Sequence, residues 1–411
     1  MPSPTLDNAL LKRGVRALRT DQAGGVTLTA AAVVALVWAN WPGGSSYVET
    51  WTRIAPWSHA LGFGLSIRDW VDQGLFFVFF AQVGLEIRRE VTVGELGSVR
   101  RAAVPVVAAL VGMAVPALVY TAVLAGGVGS SAWGIPMATD VAFAVGALGL
   151  VGGRSGRARV FLMTLAVADD IASILVLVVF YSRGLHPEWL PVGIGALIVL
   201  VPLWWSRVPA GVVRIALVAV AWWAMLHAGV DAAVIGVALG LWGPDRRPAG
   251  PTTARRPGRT GVRGWVLRIT PLVNGLVLPL FALANIGIAV STSMLSGPGA
   301  LAIFLAVLAA RLVGKPVGIV AGTLGTRRWL RSSGPPVISR RYLTGVGAVA
   351  GVGFTVPLLI IRQALPAGPL TVAATAGLLV GSVIAVGTGA VLLRAGPAAT
   401  RRPVVTGAET T

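Results

Sequence analysis

About 12 apolar runs, each near the length that crosses a bilayer, recur between residues 24 and 393 of this 411-residue chain, and nothing constrains its fold more. Charged or Gly/Pro-rich breaks separate them. The approximate spans are 24–41, 70–87, 102–125, 133–152, 160–182, 188–205, 209–227, 229–243, 266–290, 300–324, 341–365 and 370–393. The seventh and eighth, on either side of Gly229, are short enough that a single broken hairpin is the alternative. With 55% hydrophobic and only 12% charged residues, about half the charged share of a soluble domain, the chain is neither an ordinary soluble enzyme nor disordered. The expected class is an all-α polytopic membrane protein. No cysteine occurs, which excludes disulfides and thiolate metal sites.

Lys and Arg outnumber Asp and Glu by 34 to 15, a formal net charge of +19. Basic residues collect in cytoplasmic loops, so their distribution tests the helix count. One set of loops holds Lys12 to Arg19, Arg88, Arg89, Arg100, Arg101, Arg154 to Arg159, Arg207 and Arg214. It continues with seven arginines from Arg246 to Arg268, five from Arg327 to Arg341, and Arg394, Arg401 and Arg402. The alternate loops hold only Arg53, Arg68, Arg183 and Arg362. An even number of helices with both termini cytoplasmic gives this alternation. The charge excess is therefore a topology signal, and nucleic acid is not an expected partner, since no basic segment is interleaved with stacking aromatics.

The expected organisation is a cytoplasmic N-terminus over residues 1–23, a single transmembrane domain over 24–395, and a disordered cytoplasmic tail over 396–411. The first run is long and lacks a small-residue cleavage site, so it is read as a retained helix rather than a signal peptide. Residues 42–69 are polar and flanked or punctuated by Trp41, Trp51, Trp57 and Trp70, as suits an outer-face hairpin or loop at the membrane interface. Residues 244–264, rich in Pro, Gly and Arg, read as a cytoplasmic linker.

Few charges fall inside the runs: Asp140, Asp169, Asp170, Asp231, Arg311 and Lys315. A charge at membrane depth costs several kcal/mol unless it meets a partner, a proton, an ion or water. Asp169 and Asp170 sit mid-run in FLMTLAVADDIASILVLVVFY, and adjacent helical residues point about 100° apart, so both carboxylates can line one cavity. Two close carboxylates in a poorly solvated place cannot both stay ionised comfortably. Such a site takes up protons or a small hard cation such as Na+. The bland alternative is a salt-bridged pair that only joins helices, a poor substitute for apolar packing. Lys315 in RLVGKPVGIV is the natural partner of one carboxylate, either as a purely structural ion pair or as a proton carrier. Arg311 is paired provisionally with Asp231.

Two runs look interrupted, one in each half of the chain. AWGIPMATDVAFAVG has Gly134 and Pro136 before Thr139 and Asp140; LTGVGAVAGVGFTVPLL has Gly345, Gly347, Gly351, Gly353 and Pro357. Discontinuous helices in corresponding positions of two repeats point to a transporter's binding site. The freed backbone ends carry partial charges that Asp140 and Lys315 can balance. Glycines that merely allow close helix packing are the alternative for the second run.

The stretches FFVFFAQVGLEIRRE, RRAAVPVVAALVGMAVPALVY, GIPMATDVAFAVGALGLVGGR, FLMTLAVADDIASI, LPLFALANIGI, VGKPVGI and GVGFTVPL resemble the NhaA-type Na+/H+ antiporters over nearly the full chain. The resemblance implies about 12 transmembrane helices with inverted-topology repeats and two discontinuous crossing helices. It implies that Asp170 is the principal ion-binding carboxylate, that Asp169 is its proton-carrying neighbour, and that Na+ is held by the two. Lys315 then pairs with Asp169, Thr139 and Asp140 lie at the helix crossing, and Glu86 and Glu90 belong to a pH response. Residues 42–69 match a hairpin used in dimer contacts, which implies a homodimer. Three departures stand out. Asp231 in GVDAAVIG replaces a common His, residues 246–268 lack acids, and Arg311 stands where an apolar residue is common.

The expected function is a secondary active antiporter, not an enzyme, that exports Na+ and Li+ from the cytoplasm in exchange for H+. It is expected to be electrogenic, to serve pH and sodium homeostasis, and to need no cofactor. Its location is the cytoplasmic membrane of a bacterium, among membrane lipid. An intramembrane aspartyl protease is the rival from another class, but neither ATD nor ADD supplies the Gly-x-Gly-Asp context. An uncoupled cation channel is the second rival.

Overall fold

The computed structural model describes residues 21–140, 144, 156–182, 184, 186–206, 211–243, 262–291, 293–330 and 339–394. The expectations for residues 1–20, 244–261 and 395–411, and for most of 141–155, lie outside them. The described secondary structure is helical apart from one isolated bridge between Ile54 and Ser66. In chain order the helices are α1 (Asp21–Asn40), α2 (Ser45–Thr52), α3 (Ile67–Val93), α4 (Val99–Leu124), α5 (Gly156–Tyr181), α6 (Leu190–Trp205) and α7 (Gly211–His227). There follow α8 (Ala232–Trp242), α9 (Val262–Asn285, taking its three segments together), α10 (Ala300–Trp329), α11 (Arg340–Val349), α12 (Thr355–Ala364) and α13 (Pro369–Arg394).

Eight of the described helices are long and apolar enough to cross a membrane, and α7, α8 and α12 are shorter apolar helices. The protein is an all-α, multi-span membrane protein. Large apolar side chains face outward along the spans, among them Leu118, Leu175, Val179, Ile198, Ile215 and Val383, as expected where the solvent is hydrocarbon rather than water. The runs around Gly229 resolve into two helices. Gly229 takes φ +75° at the turn between α7 and α8, a conformation that favours glycine.

Three helices contain a π-helical stretch: Trp70–Leu75 in α3, Val273–Val277 in α9 and Ala310–Gly314 in α10. The last two end just before Leu278-Pro279 and Lys315-Pro316. A proline has no N–H to give and its ring crowds the carbonyl four residues back, so a widened turn relieves the ladder. In α10 this widening falls on Arg311.

Close backbone approach fixes two helix pairs. Gly236 and Gly240 of α8 press on Phe77 and Ala81 of α3, while Gly84 of α3 presses on Val237. Gly314, Gly318 and Gly322, one per turn along α10, lie against α4; an added Cβ would meet Pro116 Cα at 2.8 Å, Val111 O at 2.6 Å and Ala108 Cα at 2.8 Å. Small residues at four-residue spacing are how membrane helices gain van der Waals contact without a hydrophobic drive. Because backbone cannot swing aside, Gly318→Ala is expected to cost about 1–3 kcal/mol by overpacking, read as a lower melting point in detergent. An unchanged melting point would show that α4 and α10 can part freely.

The second interrupted run is broken as its sequence suggests. Helix α11 ends at Val349, residues 352–354 are non-helical, and α12 begins at Thr355. Its glycines divide between the two readings. Gly345 and Gly347 pack against Leu393 and Pro316, whereas Gly351 and Gly353 lie at the break itself.

Candidate functional site

The two interrupted segments meet in the interior. Residues 138–140 are non-helical and run beside residues 352–354. Asp140 N donates to Val352 O at 3.0 Å, and Thr139 Oγ1 donates to Ala350 O at 2.8 Å. Backbone groups that a continuous helix would satisfy internally are therefore met across the break.

Helix α5 brings the paired acids to this crossing. Asp169 is fully buried; its Oδ2 accepts from Thr139 N at 2.8 Å and lies 2.9 Å from Lys315 Nζ. The Lys315 ammonium, 1% exposed, also donates to Met137 O. One lysine from α10 thus neutralises a carboxylate of α5 and the carbonyl end of the first broken segment. Asp170 is 7% exposed, and among the described residues no hydrogen bond or ion pair ties its carboxylate down. The charges acting on it are Asp169, Asp140, Glu86 and Lys315. Three of these four are negative, so a cation placed at the Asp170 carboxylate meets a net attraction.

Arg311 lies at the same crossing, not beside Asp231. Its Nε donates to Gly351 O at 2.9 Å, and its Nη1 and Nη2 reach Ile135 O and Ala138 O, each at 3.4 Å. The provisional Arg311–Asp231 pair is therefore wrong. Asp231 caps the N-terminus of α8, accepting from Ala233 N at 2.8 Å, and takes amide protons from Gln73 at 3.2 Å and Gln363 at 2.5 Å. It lines a separate cavity of about 260 Å³ with Tyr181, Ser182 and Phe63.

Glu86 and Glu90, on α3, sit apart from the crossing hydrogen bonds. Glu86 accepts from Gln82 at 2.8 Å, and its charge acts on Asp170. Glu90 accepts from Thr164 of α5 at 2.8 Å and from Glu95 N at 3.0 Å, which ties the end of α3 to the helix that carries the two aspartates.

One network escaped the sequence reading. Arg362 of α12 donates to Asp72 at 2.6 Å, to Asp69 at 2.8 Å and to Asn285 at 3.0 Å, and Asn285 in turn donates to Asp72 at 2.7 Å. Asp72 is 5% exposed. Its place inside the FFVFF-containing run was a signal, obscured because Arg68 and Asp69 beside it read as loop charges. The network sets Arg362 at the same end of the bundle as Asp69, as the alternation of basic loops requires.

A carboxylate pair, a buried lysine and two broken segments crossing beside them now stand together. Compared with protein families, residues 15–393 match the family model described as Na+/H+ antiporter 1. The chain belongs to this family. It is 36% identical to a protein named Na(+)/H(+) antiporter NhaA 3 from Frankia alni, over 92% of this chain and 87% of that protein. It is 38% identical to a protein of the same name from Streptomyces coelicolor, over 92% and 79% of the two chains. A relative from Thermobifida fusca named Na(+)/H(+) antiporter NhaA is 38% identical over 92% of each. As a member of the Na+/H+ antiporter 1 family, the chain is a multi-pass secondary transporter and not an enzyme.

Proposed function

We propose that this transporter exports Na+, and Li+ with it, in exchange for entering protons, with Asp170 and Asp169 as the shared binding site. The observation that carries the reading is the buried Asp169–Lys315 pair beside Asp170 at the crossing of the two breaks. A hard monovalent cation is suited by carboxylate oxygens. Since Na+ and protons compete for the same oxygens, occupancy by one expels the other, and exchange is obligatory rather than a leak. Thr139 and Asp140 hold the crossing, and Lys315 exchanges its proton when Asp169 turns to the cation. The names and substrates of the relatives support the same reading.

With two protons entering for each Na+ leaving, a cycle carries net positive charge inward, so an inside-negative potential speeds export. The test is Na+-dependent dequenching of a pH dye in everted vesicles, followed by flux in proteoliposomes under imposed potential. Dye recovery with cation and acceleration by potential support the reading. Na+ flux without proton movement would instead make the protein a channel, and voltage-insensitive exchange would remove the charge imbalance.

The arginine alternation supports cytoplasmic termini in a bacterial cytoplasmic membrane, and the activity would serve sodium and pH homeostasis. Residues 42–69 expose Val48, Ile54, Trp57 and Leu61, which suits contacts in a homodimer, checked by native mass spectrometry. Glu86 and Glu90 supply a pH response. Glu90→Gln removes a charged acceptor from Thr164, so the pH at which exchange switches on is expected to move measurably. An identical profile would dismiss Glu90 from that role.

A further inference from the structure

Arg311 is the largest fully buried side chain among the described residues and lies one turn before Lys315 on the same helix. It donates to carbonyls from both interrupted segments: Gly351 on one, Ile135 and Ala138 on the other. The crossing is shaped to admit it, since an added Cβ at Gly353 would strike the guanidinium and lie 2.7 Å from Ala138 O. The carboxylates acting on Arg311 are Asp169 and Asp140. Carbonyls 135, 137 and 138 are thus served by two cations from α10, Arg311 and Lys315.

The two cations differ in one decisive property. A guanidinium keeps its proton under all conditions a protein meets, whereas an amine can surrender one. With a permanent charge on the carbonyls of Ile135, Ala138 and Gly351, Lys315 is left with Met137 O, to which a neutral amine can still donate, and with Asp169, whose charge Na+ can take over. When Na+ lies between the ionised Asp169 and Asp170 and Lys315 is neutral, those groups sum to one negative charge, which Arg311 offsets; without Arg311 that negative charge is left uncompensated. Such an excess at low dielectric is costly.

We propose that Arg311 is the permanent counter-charge of the crossing, a positioning residue that frees Lys315 to give up and regain a proton in each cycle. The inference rests on the charge-moving exchange proposed above. As Na+ binds, one proton leaves the Asp170 carboxyl and one leaves the Lys315 ammonium, whose nitrogen keeps the electron pair; both pass to water on the side that supplied the Na+. On the other side Na+ leaves and two protons return, so charge and atoms balance.

The experiment compares wild type, Arg311→Leu and Arg311→Lys as purified full-length proteins in proteoliposomes, measuring radiolabelled Na+ flux and transported charge together, with the double variant Lys315→Gln/Asp169→Asn melted alongside them. Wild type and Arg311→Lys are expected to share one ratio of charge to Na+. Arg311→Leu should drive that ratio toward zero, because Lys315 must then keep its proton to hold the carbonyls. A folded Arg311→Leu with the wild-type ratio overturns the proposal. If Arg311→Leu does not fold, Lys315→Gln combined with Asp169→Asn decides: with no carboxylate stranded and Arg311 still on its carbonyls, the double variant should melt within about 4 °C of wild type. A double variant that also fails to fold overturns the proposal. Wild type that moves no net charge overturns both this inference and the exchange ratio beneath it, and that failure appears without any variant.

Discussion

Asp170→Asn is expected to reduce Na+-dependent dye recovery in everted vesicles to the level of vesicles without the protein, while leaving the fold intact or firmer. Asparagine keeps the size of the side chain and loses only its charge. Two unit charges about 4 Å apart at an effective dielectric near 20 interact by roughly 4 kcal/mol, and each 1.4 kcal/mol is a factor of ten, so affinity for Na+ falls about 1,000-fold. The same change relieves repulsion from Asp169, Asp140 and Glu86. It strands no partner, because none is bonded to the Asp170 carboxylate among the described residues. Lost transport with a melting point at or above that of wild type is therefore the expected pair of results. Residual exchange above about one tenth would move the principal ion ligand elsewhere.

Arg362→Ala is expected to damage the protein in the opposite way, through stability first. Its guanidinium is the only Lys or Arg group within ion-pair distance of Asp72 among the described residues, at 2.6 Å, and Asp72 is almost wholly buried. Removing one partner of a buried pair costs about 3–5 kcal/mol because the other is left uncompensated. Asp69, about a third exposed, can turn to water and adds little. Pairing Arg362→Ala with Asp72→Asn removes the stranded charge, so more than half the loss should return in thermal melts in detergent. If the single variant melts with wild type, the network is ornamental. Transport should fall with stability, since α12 is one half of a broken helix.

That Lys315 pairs with one of the two aspartates was legible because so few charges interrupt the apolar runs, and that the one is Asp169 followed from the family resemblance. Arg311 was not legible. Its partners are the carbonyls of Ile135, Ala138 and Gly351, and a carbonyl leaves no mark in a sequence because every residue has one. Asp72 hid for another reason: a charge at the edge of a run looks like loop until the partner from α12 is seen. The breaks themselves were readable from Gly134, Pro136, Gly351 and Gly353. Of the π-helical stretches only the prolines at 279 and 316 gave notice, and a proline alone does not distinguish a kink from a widened turn. Orientation remains a property of the arginines, which respond to a membrane surface, rather than of the helix packing.

Tyr181 lies twelve residues beyond Asp169 on α5, about 18 Å along the helix axis. Its hydroxyl accepts from Gly134 N at 2.8 Å and donates to Ser131 O at 3.0 Å, while Asp169 holds Thr139 N. The described portion of the first interrupted segment is therefore riveted to α5 at both ends, like a splint bound above and below a fracture. Such a splinted piece cannot bend at its own break without tearing buried bonds. In the exchange proposed above, a movement that exposes the carboxylates to one face of the membrane and then the other would take this segment along with α5, and the give would come from what surrounds them.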